Sequence, residues 1–194
     1  MENGKNKKCK SCKGVGKIPS KFIGLAEPLG IPGAEFAGGS MGMGVSGAVG
    51  FALAKKLKGE DGKVYVLESD GGMNCGINWE ALAIASHHKL SNLILIIEKN
   101  GFQAMGKTED VLNFEPLDEK LASFGWEVRK VKNGHNYEVI ERALTYPPLY
   151  TDKPIVLLIE TIKGKGVSFM ENENKWHYLH PDEEDYQKAL AELK

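Results

Sequence analysis

Four short apolar runs with helical patterns between them constrain the fold of this chain more than any other feature. The runs are VYVLES, NLILIIEK, WEVRKV and PIVLLIE, and helical spacing of apolar residues lies between them near 77–89, 116–124 and 136–145. Nearly continuous apolar strands that alternate with helices are typical of a parallel sheet covered on both faces. The sequence therefore predicts an α/β fold with a doubly wound, mostly parallel sheet flanked by helices.

Two further helices are predicted outside these runs. The stretch MGMGVSGAVGFALAKKL, from Met41 to Leu57, places Val45, Val49 and Ala52 at helical spacing, which predicts a buried helix. The final stretch, PDEEDYQKALAELK, begins with Pro and acidic residues and ends in Ala, Leu and Lys, which is the order that a capped helix prefers.

The length of the chain predicts one domain preceded by an arm. A chain of 194 residues is long enough for one sizeable core and too short for two ordinary domains. Residues 1–35 carry Lys-rich and Gly/Pro-rich stretches without periodicity, so we expect an irregular arm there and a compact α/β domain over 36–194.

Charge and hydropathy disfavour two classes of partner. Twenty-five basic and 26 acidic residues give a net charge of −1, so nothing in the balance attracts nucleic acid or an anionic membrane. No apolar stretch approaches the roughly 20 residues that span a bilayer, and the three cysteines have no disulfide-framework spacing. We therefore expect a cytoplasmic protein with reduced thiols, bound neither to nucleic acid nor to a membrane.

Polar residues at the ends of two predicted strands suggest a metal site. Asp70 ends one run and Asn100 ends the next, and ligands of parallel sheets bind beyond the carboxyl ends of the strands. A carboxylate and an amide oxygen suit Mg²⁺, and the glycines Gly71 and Gly72 would let a phosphate approach the backbone. Asp70 could instead be a helix cap and Asn100 a turn residue.

A glycine-rich turn over residues 38–44 opens the predicted helix and would direct backbone N–H groups at an anion. Its GMGVSG segment also has the glycine spacing of a nicotinamide dinucleotide site, but no strand is predicted before it. A nucleic-acid module built on the Lys-rich arm is a further, weaker alternative, and its binding would fall steeply with salt.

Over residues 31–193 the chain resembles the diphosphate-binding half of transketolases, which are thiamine diphosphate enzymes. The family's Gly-Asp-Gly motif corresponds to Ser69-Asp70-Gly71, with Asn100 about thirty residues on, and its Gly-Ser-Leu-Gly turn corresponds to Gly39-Ser40-Met41-Gly42. The segments NWEA, SHHKLSNLI, FGWEV, TIKGKGVSFM and NKWH follow in the family's order.

The resemblance implies a role for each matched residue. Asp70, Asn100 and the backbone carbonyl of Phe102 would hold Mg²⁺, or Ca²⁺ or Mn²⁺ in its place. The residues implied to contact thiamine diphosphate are Gly39, Ser40, Met41, Gly71, Asn100, Lys163 and His177. Of these, His177 would also face the reacting centre as a catalytic residue.

The resemblance also implies the activity and the partner. The chain would be the N-terminal subunit of a split transketolase that transfers a two-carbon ketol unit between sugar phosphates. The family's pyrimidine-binding half is the other component, so a C-terminal transketolase subunit is implied, with the two arranged as a homodimer of heterodimers. The alternative is a catalytically impaired fragment that keeps the fold, and cofactor binding with it, without turnover.

Two departures from the family pattern favour that alternative. Cys75 stands where most transketolases have a Glu that shares a proton with a second carboxylate across the interface, and a thiol cannot hold that proton. The front region is shorter by roughly a hundred residues and lacks the family's histidines, with Glu27-Pro28 nearest the last of them. In its place lies CKSCKGVGK, where Cys9 and Cys12 form half of a zinc motif or a pair of incidental thiols.

Overall fold

The computed structural model describes residues 35–36 and 40–194, so the predicted arm over residues 1–35 lies almost wholly outside the described residues, with Cys9, Cys12 and Glu27-Pro28. The division into an arm and a domain stays a prediction. The elements are α1 Met43–Lys58, β1 Val64–Ser69, α2 Gly76–His87, β2 Leu93–Lys99, β3 Phe102–Gln103, β4 Gly106–Lys107, α3 Thr108–Leu112, α4 Leu117–Ser123, β5 Glu127–Val131, α5 Tyr137–Thr145, β6 Ile155–Glu160 and α6 Glu183–Glu192.

The main sheet has four parallel strands in the order β1-β2-β6-β5, which confirms the predicted parallel α/β fold. All four predicted strands and all five predicted helices are present, with ends that differ by a few residues at most. The chain steps from β2 to the edge strand β5 and returns through α5 to place β6 between them.

Helices cover both faces of the sheet, but unequally. On one face α1, α2 and α4 pack over a core that includes Leu95, Ile97, Val156 and Leu82. On the other face α5 packs over Ile94, Val131, Ile155, Leu157 and Ile159. Successive strand residues point to opposite faces, which is why the apolar runs are nearly continuous. On the second face of β1, Tyr65 and Leu67 are 54% and 71% exposed, so the described helices leave this part of the sheet uncovered.

The helix predicted from Met41 to Leu57 is half-buried instead of buried. Val45, Ala48, Val49 and Ala52 form its buried side, whereas Phe51 is 49% exposed. The difference arises because the main contacts of α1 are with α2, β1 and β2, so packing covers one side of the helix and leaves Phe51 on the other. Among the described residues no helix is both long and apolar enough to cross a bilayer.

Glycines set both ends of α1. Gly59 ends the helix with φ 66° and donates its N–H to the carbonyls of Lys55 and Lys56, as left-handed C-caps do. Gly42 begins it with φ 82°, and a Cβ there would lie 2.6 Å from Ile77 Cγ2 and 3.0 Å from Cys75 Cβ. The turn before α1 therefore packs directly on the start of α2, which only glycine permits.

Truncation of a buried side chain in the central part of the sheet should destabilise the protein strongly. Leu95 is fully buried in the centre of the sheet, so Leu95→Ala should lower the free energy of unfolding by about 2–5 kcal/mol. Leu57→Ala, at a side chain that is 78% exposed, should change it by less than about 0.5 kcal/mol. Urea denaturation of both variants tests this, and equal effects would contradict the described core.

Two glycines of the same helix region should respond in opposite directions to alanine. Gly42→Ala adds a steric clash and a left-handed alanine, and should lower the free energy of unfolding by about 1–3 kcal/mol. Gly50→Ala, inside α1 where a Cβ meets nothing within 4 Å, should raise it by roughly 0.5–1 kcal/mol. A Gly42→Ala variant as stable as the wild type would contradict the described turn.

Candidate functional site

The carboxylate of Asp70 joins the loops that follow β1 and β2. The sheet register pairs Ser69 with Glu98, so the carboxyl ends of β1 and β2 lie side by side. Asp70 is 4% exposed; its Oδ1 accepts a hydrogen bond from Gly71 N at 2.8 Å, and its Oδ2 accepts one from Gly101 N at 2.8 Å. The hydroxyl of Thr108 donates to Oδ2 at 3.3 Å. One buried side chain thus fixes the geometry of two loops.

Asn100 completes the second loop. Its Oδ1 accepts a hydrogen bond from Phe102 N at 2.8 Å, and its Nδ2 donates to Glu98 Oε2 at 3.0 Å. Asp70 and Asn100 therefore both bind backbone N–H groups of the turn over residues 100–102. The structure brings the three predicted metal ligands, Asp70, Asn100 and Phe102, to one corner of the sheet edge.

The local alternatives for these two residues are correct as far as they go. Asp70 caps the 3-10 helix Gly71–Asn74, and Asn100 stabilises the turn that leads into β3. A cap does not account for the bond from Gly101 to Asp70, which spans 31 residues of sequence. That bond links the Asp70 loop to the loop of Asn100, so the two residues belong to one structural unit.

The Asp70 carboxyl lies in an environment that disfavours its charge. Burial raises its pKa above the ordinary value, the N–H groups of Gly101 and Gly71 partly oppose that rise, and the charge of Glu98 adds to it. Among the described residues Asp70 forms no ion pair with a basic side chain. A cation at this position would relieve the cost of burying the carboxylate.

The donors present suit a hard cation. A carboxylate, a side-chain amide oxygen and a backbone carbonyl are the oxygen ligands that Mg²⁺ and Ca²⁺ prefer. Asp70 Oδ1 and Asn100 Oδ1 each accept one hydrogen bond and retain a second lone pair for an ion. In the described part of the chain no three His, Cys, Asp or Glu side chains form a metal-binding group. The predicted metal ligands contain only one residue of these four types, Asp70, since the other two ligands are an Asn side chain and a backbone carbonyl.

The predicted cofactor-contacting residues other than Asn100, Lys163 and His177 differ in their surroundings. Gly71 is buried, and a Cβ on it would lie 3.1 Å from Gln103 Cγ, so the backbone beside Asp70 is tightly packed. Gly39 lies outside the described residues. Ser40 and Met41 are exposed in the turn before α1, whose Gly42 packs on the start of α2.

Lys163 and His177 lie on two segments that are tied to the same corner. The hydroxyl of Thr161 hydrogen-bonds Glu98 Oε1, which attaches the loop carrying Lys163 to the end of β2. Asn174 Nδ2 donates to Ala104 O at 3.2 Å, which attaches the 3-10 helix Asn174–His177 to the β3–β4 hairpin. Among the described contacts neither Lys163 nor His177 bonds Asp70 directly, and the His177 side chain is exposed.

Several residues at this corner were not predicted from the sequence. They are Glu98, Thr108, Thr161, Asn174 and His135, whose Nε2 accepts the N–H of Ile162 at 2.8 Å and so fixes the loop before Lys163. A polar residue at the end of an apolar run was the one available signal. It indicated Asp70 and Asn100, and Glu98 carries the same signal two residues earlier. The others lie in loops or at the first residue of a short helix, where the sequence shows no periodic pattern.

The start of α2 is the second notable feature of the site. Cys75 is half-buried beside Gly42, and Asn78 is fully buried and donates its Nδ2 to Gly72 O at 2.8 Å. No basic residue adjoins the thiol in sequence, and no disulfide among the described residues engages it. Its position next to the exposed side chains of Met41 and Ile77 places it at a surface.

A cleft of about 310 Å³ lies next to Asp70, between the end of β2 and helices α3 and α4. Its walls include Lys99, which forms an ion pair with Glu115, and the ring of Phe114, which stacks on Trp79 with centroids 5.7 Å apart. The cleft gives solvent and small ligands access to the loops that Asp70 joins.

Comparison with known proteins identifies the family. Residues 4–192 match the family described as transketolase, thiamine diphosphate binding domain. The chain is 40% identical over 175 residues to one of the subunits of the apulose-4-phosphate transketolase of Actinobacillus succinogenes, covering 90% of this chain and 63% of that protein. It is 37% identical over 161 residues to a 6-deoxy-6-sulfo-D-fructose transketolase subunit of a Clostridium strain, covering 83% of this chain and 58% of that protein.

The crystal structure of transketolase from Campylobacter jejuni superposes with a TM-score of 0.80 at 35% identity, covering 91% of this chain and 28% of that one. The agreement extends to the parallel sheet and its flanking helices. The chain spans about 63% and 58% of the two curated relatives named above, and a smaller part of the longer enzyme. With a family match over nearly its whole length, this chain belongs to the transketolase family, through its thiamine diphosphate-binding domain.

Proposed function

We propose that this chain is the diphosphate-binding subunit of a two-component transketolase. It binds thiamine diphosphate with Mg²⁺ and, together with a pyrimidine-binding partner chain, transfers a two-carbon ketol unit between sugar phosphates. Two relatives, 40% and 39% identical to this chain, are named as single subunits of a transketolase, which supports a division of the enzyme between two chains.

The observation that carries the proposal is the convergence of Asp70 and Asn100 on the turn over residues 100–102. Both accept hydrogen bonds from backbone N–H groups there at 2.8 Å, which supports a metal site formed by Asp70, Asn100 and the Phe102 carbonyl. A buried carboxylate without a basic partner among the described residues favours a cation at this corner.

The flanking segments supply the other groups that a diphosphate needs. A diphosphate that shares one divalent ion keeps residual negative charge, which Lys163 and His177 would stabilise. Ser40 and Met41 would contribute backbone N–H groups, with Gly39 beside them in sequence. Gly71, whose own N–H is donated to Asp70, would let the cofactor approach its backbone because it has no Cβ. When bound, thiamine diphosphate supplies the carbanion-stabilising chemistry of ketol transfer, and the role of these residues is to bind and orient it.

An apolar surface next to the site supports a protein partner. The exposed apolar side chains of α1, α2 and the preceding turn include Met41, Met43, Phe51, Ile77 and Ile84, each between 38% and 59% exposed. Apolar side chains clustered on two adjacent helices are typical of a surface that another protein covers. The proposed occupant is the C-terminal transketolase subunit, in a homodimer of heterodimers.

Two further parts of the proposal concern setting and boundaries. The enzyme acts in the cytoplasm, in keeping with the free thiol of Cys75 and with the reactions of sugar phosphates. Residues 36–194 form the cofactor-binding domain, and residues 1–35 form a separate arm.

A second candidate function is cofactor binding without turnover. Cys75 favours it, because a thiol at the partner surface cannot share a proton as the family's Glu does. The two candidates differ in one measurable respect, since a binding-only chain forms the complex with the cofactor and the partner yet gives no product.

Reconstitution tests the proposed activity. The chain is combined with the pyrimidine-binding chain encoded in the same genome, thiamine diphosphate, Mg²⁺, and a panel of ketose phosphate donors with aldose phosphate acceptors. We expect ketol transfer that requires both chains. Complex formation with bound cofactor and no transfer for any pair would favour the binding-only alternative.

Loss of the Asp70 carboxylate should abolish metal-dependent cofactor binding. A ligand that binds only the folded state stabilises it, by about 2.7 kcal/mol at a concentration 100 times its dissociation constant. This stabilisation raises the midpoint temperature of thermal unfolding. We expect that rise for the wild type with thiamine diphosphate and Mg²⁺ together, and none for Asp70→Ala.

Asp61→Ala is the matched control. Asp61 is exposed and precedes β1, so it lies at the end of the strand opposite to Asp70. The variant should therefore keep the full thermal shift. A full shift in Asp70→Ala would show that the metal site lies elsewhere.

A further inference from the structure

Glu98 contacts both the metal corner and the loop that leads to Lys163. It lies on β2, half-buried, and its backbone carbonyl accepts the N–H of Asp70 at 3.0 Å. One carboxylate oxygen accepts a hydrogen bond from Asn100 Nδ2 at 3.0 Å, and the other accepts one from the hydroxyl of Thr161. Glu98 thus contacts Asp70, Asn100 and Thr161, which lie on three different segments of the site.

The contacts of Asn100 fix which way its amide points. A carboxylate can only accept, so the group that faces Glu98 Oε2 must be the amide nitrogen. The backbone N–H of Phe102 can only donate, so the group that faces it at 2.8 Å must be the amide oxygen. Rotation of the amide by half a turn would place oxygen against carboxylate and nitrogen against N–H, which are two repulsive contacts.

Only one of the two orientations of the Asn100 amide allows it to coordinate a metal ion. A cation requires the oxygen Oδ1, since an amide nitrogen carries its hydrogens outward and repels it. We propose that Glu98 is a positioning residue for the metal site, which holds the Asn100 amide by its Nδ2 so that Oδ1 is presented to the ion. This inference rests on the proposed function, since it assigns the support of the same site.

The second contact of Glu98 extends this role to the diphosphate loop. Thr161 begins the TIKGKG segment, and its N–H also donates to Lys99 O at 3.1 Å. The carboxylate of Glu98 therefore ties Asn100, at the end of β2, to the segment that carries Lys163 two residues later. Residues that orient a metal ligand in this way typically affect affinity for the metal by about 10- to 100-fold.

The test is the dissociation constant for Mg²⁺ at saturating thiamine diphosphate, measured by calorimetry on the full chain with Glu98→Ala, Glu98→Gln and Glu160→Ala. Glu98→Gln keeps an oxygen that accepts Asn100 Nδ2, and its amide can donate to the Thr161 hydroxyl. Glu160 ends β6 at the same sheet edge and is exposed, so Glu160→Ala removes one negative charge without touching Asn100.

We expect Glu98→Ala to weaken Mg²⁺ binding by about 10- to 100-fold, while Glu98→Gln and Glu160→Ala retain most of the wild-type affinity. Thermal unfolding of the ligand-free variants checks that each is folded. Glu98→Leu, which fills a similar volume without an acceptor, carries the same expectation if Glu98→Ala does not fold.

Any of four results would overturn the inference. Wild-type affinity in Glu98→Ala or Glu98→Leu would show that Asn100 needs no support from Glu98. Equal losses in Glu98→Ala and Glu98→Gln, or a loss in Glu160→Ala as large as that in Glu98→Ala, would show that negative charge and not amide orientation matters. A wild-type chain that binds no Mg²⁺ would overturn the proposed function as well. The other outcomes leave Mg²⁺ binding by the wild type intact and overturn only the role of Glu98.

Discussion

The buried carboxylate of Asp70 is the interaction on which the candidate site depends. It accepts N–H groups from the loop after β1 and from the loop after β2, and the Thr108 hydroxyl adds a third bond. Hydrogen bonds to a charged group are stronger than those between neutral groups, but the burial of an ionised carboxylate is costly. A cation beside Asp70 would offset that cost, so the local structure and the proposed metal binding share one physical cause.

The rest of the fold separates stability from function. The apolar strands and the helices α1, α2 and α4 form the larger core, which holds the sheet edge in place. The candidate ligands lie beyond that core, on loops that are joined by short polar contacts such as Glu98 with Thr161 and Asn174 with Ala104. Functional groups on loops that a rigid frame positions are typical of α/β enzymes.

The sequence predicted the sheet because burial on both faces leaves a nearly continuous apolar run, as in LILIIEK. It also predicted that Asp70 and Asn100 would lie close together, because parallel strands end at one edge. It missed the β3–β4 hairpin, whose two-residue strands have no periodicity, and the half-exposed state of α1, because an apolar helix face can meet a partner instead of the core. Glu98 carries the same signal as Asn100, a polar residue at the end of an apolar run, but its contacts with Asn100 and Thr161 form only in the folded sheet.

The most direct test of the central claim is a calorimetric titration of the unmodified chain with thiamine diphosphate, with and without Mg²⁺. We predict binding that requires Mg²⁺ and tightens when the pyrimidine-binding chain is added, because the cofactor then contacts both chains. Absence of binding under all of these conditions, or binding that is unaffected by removal of the metal, would contradict the proposed site.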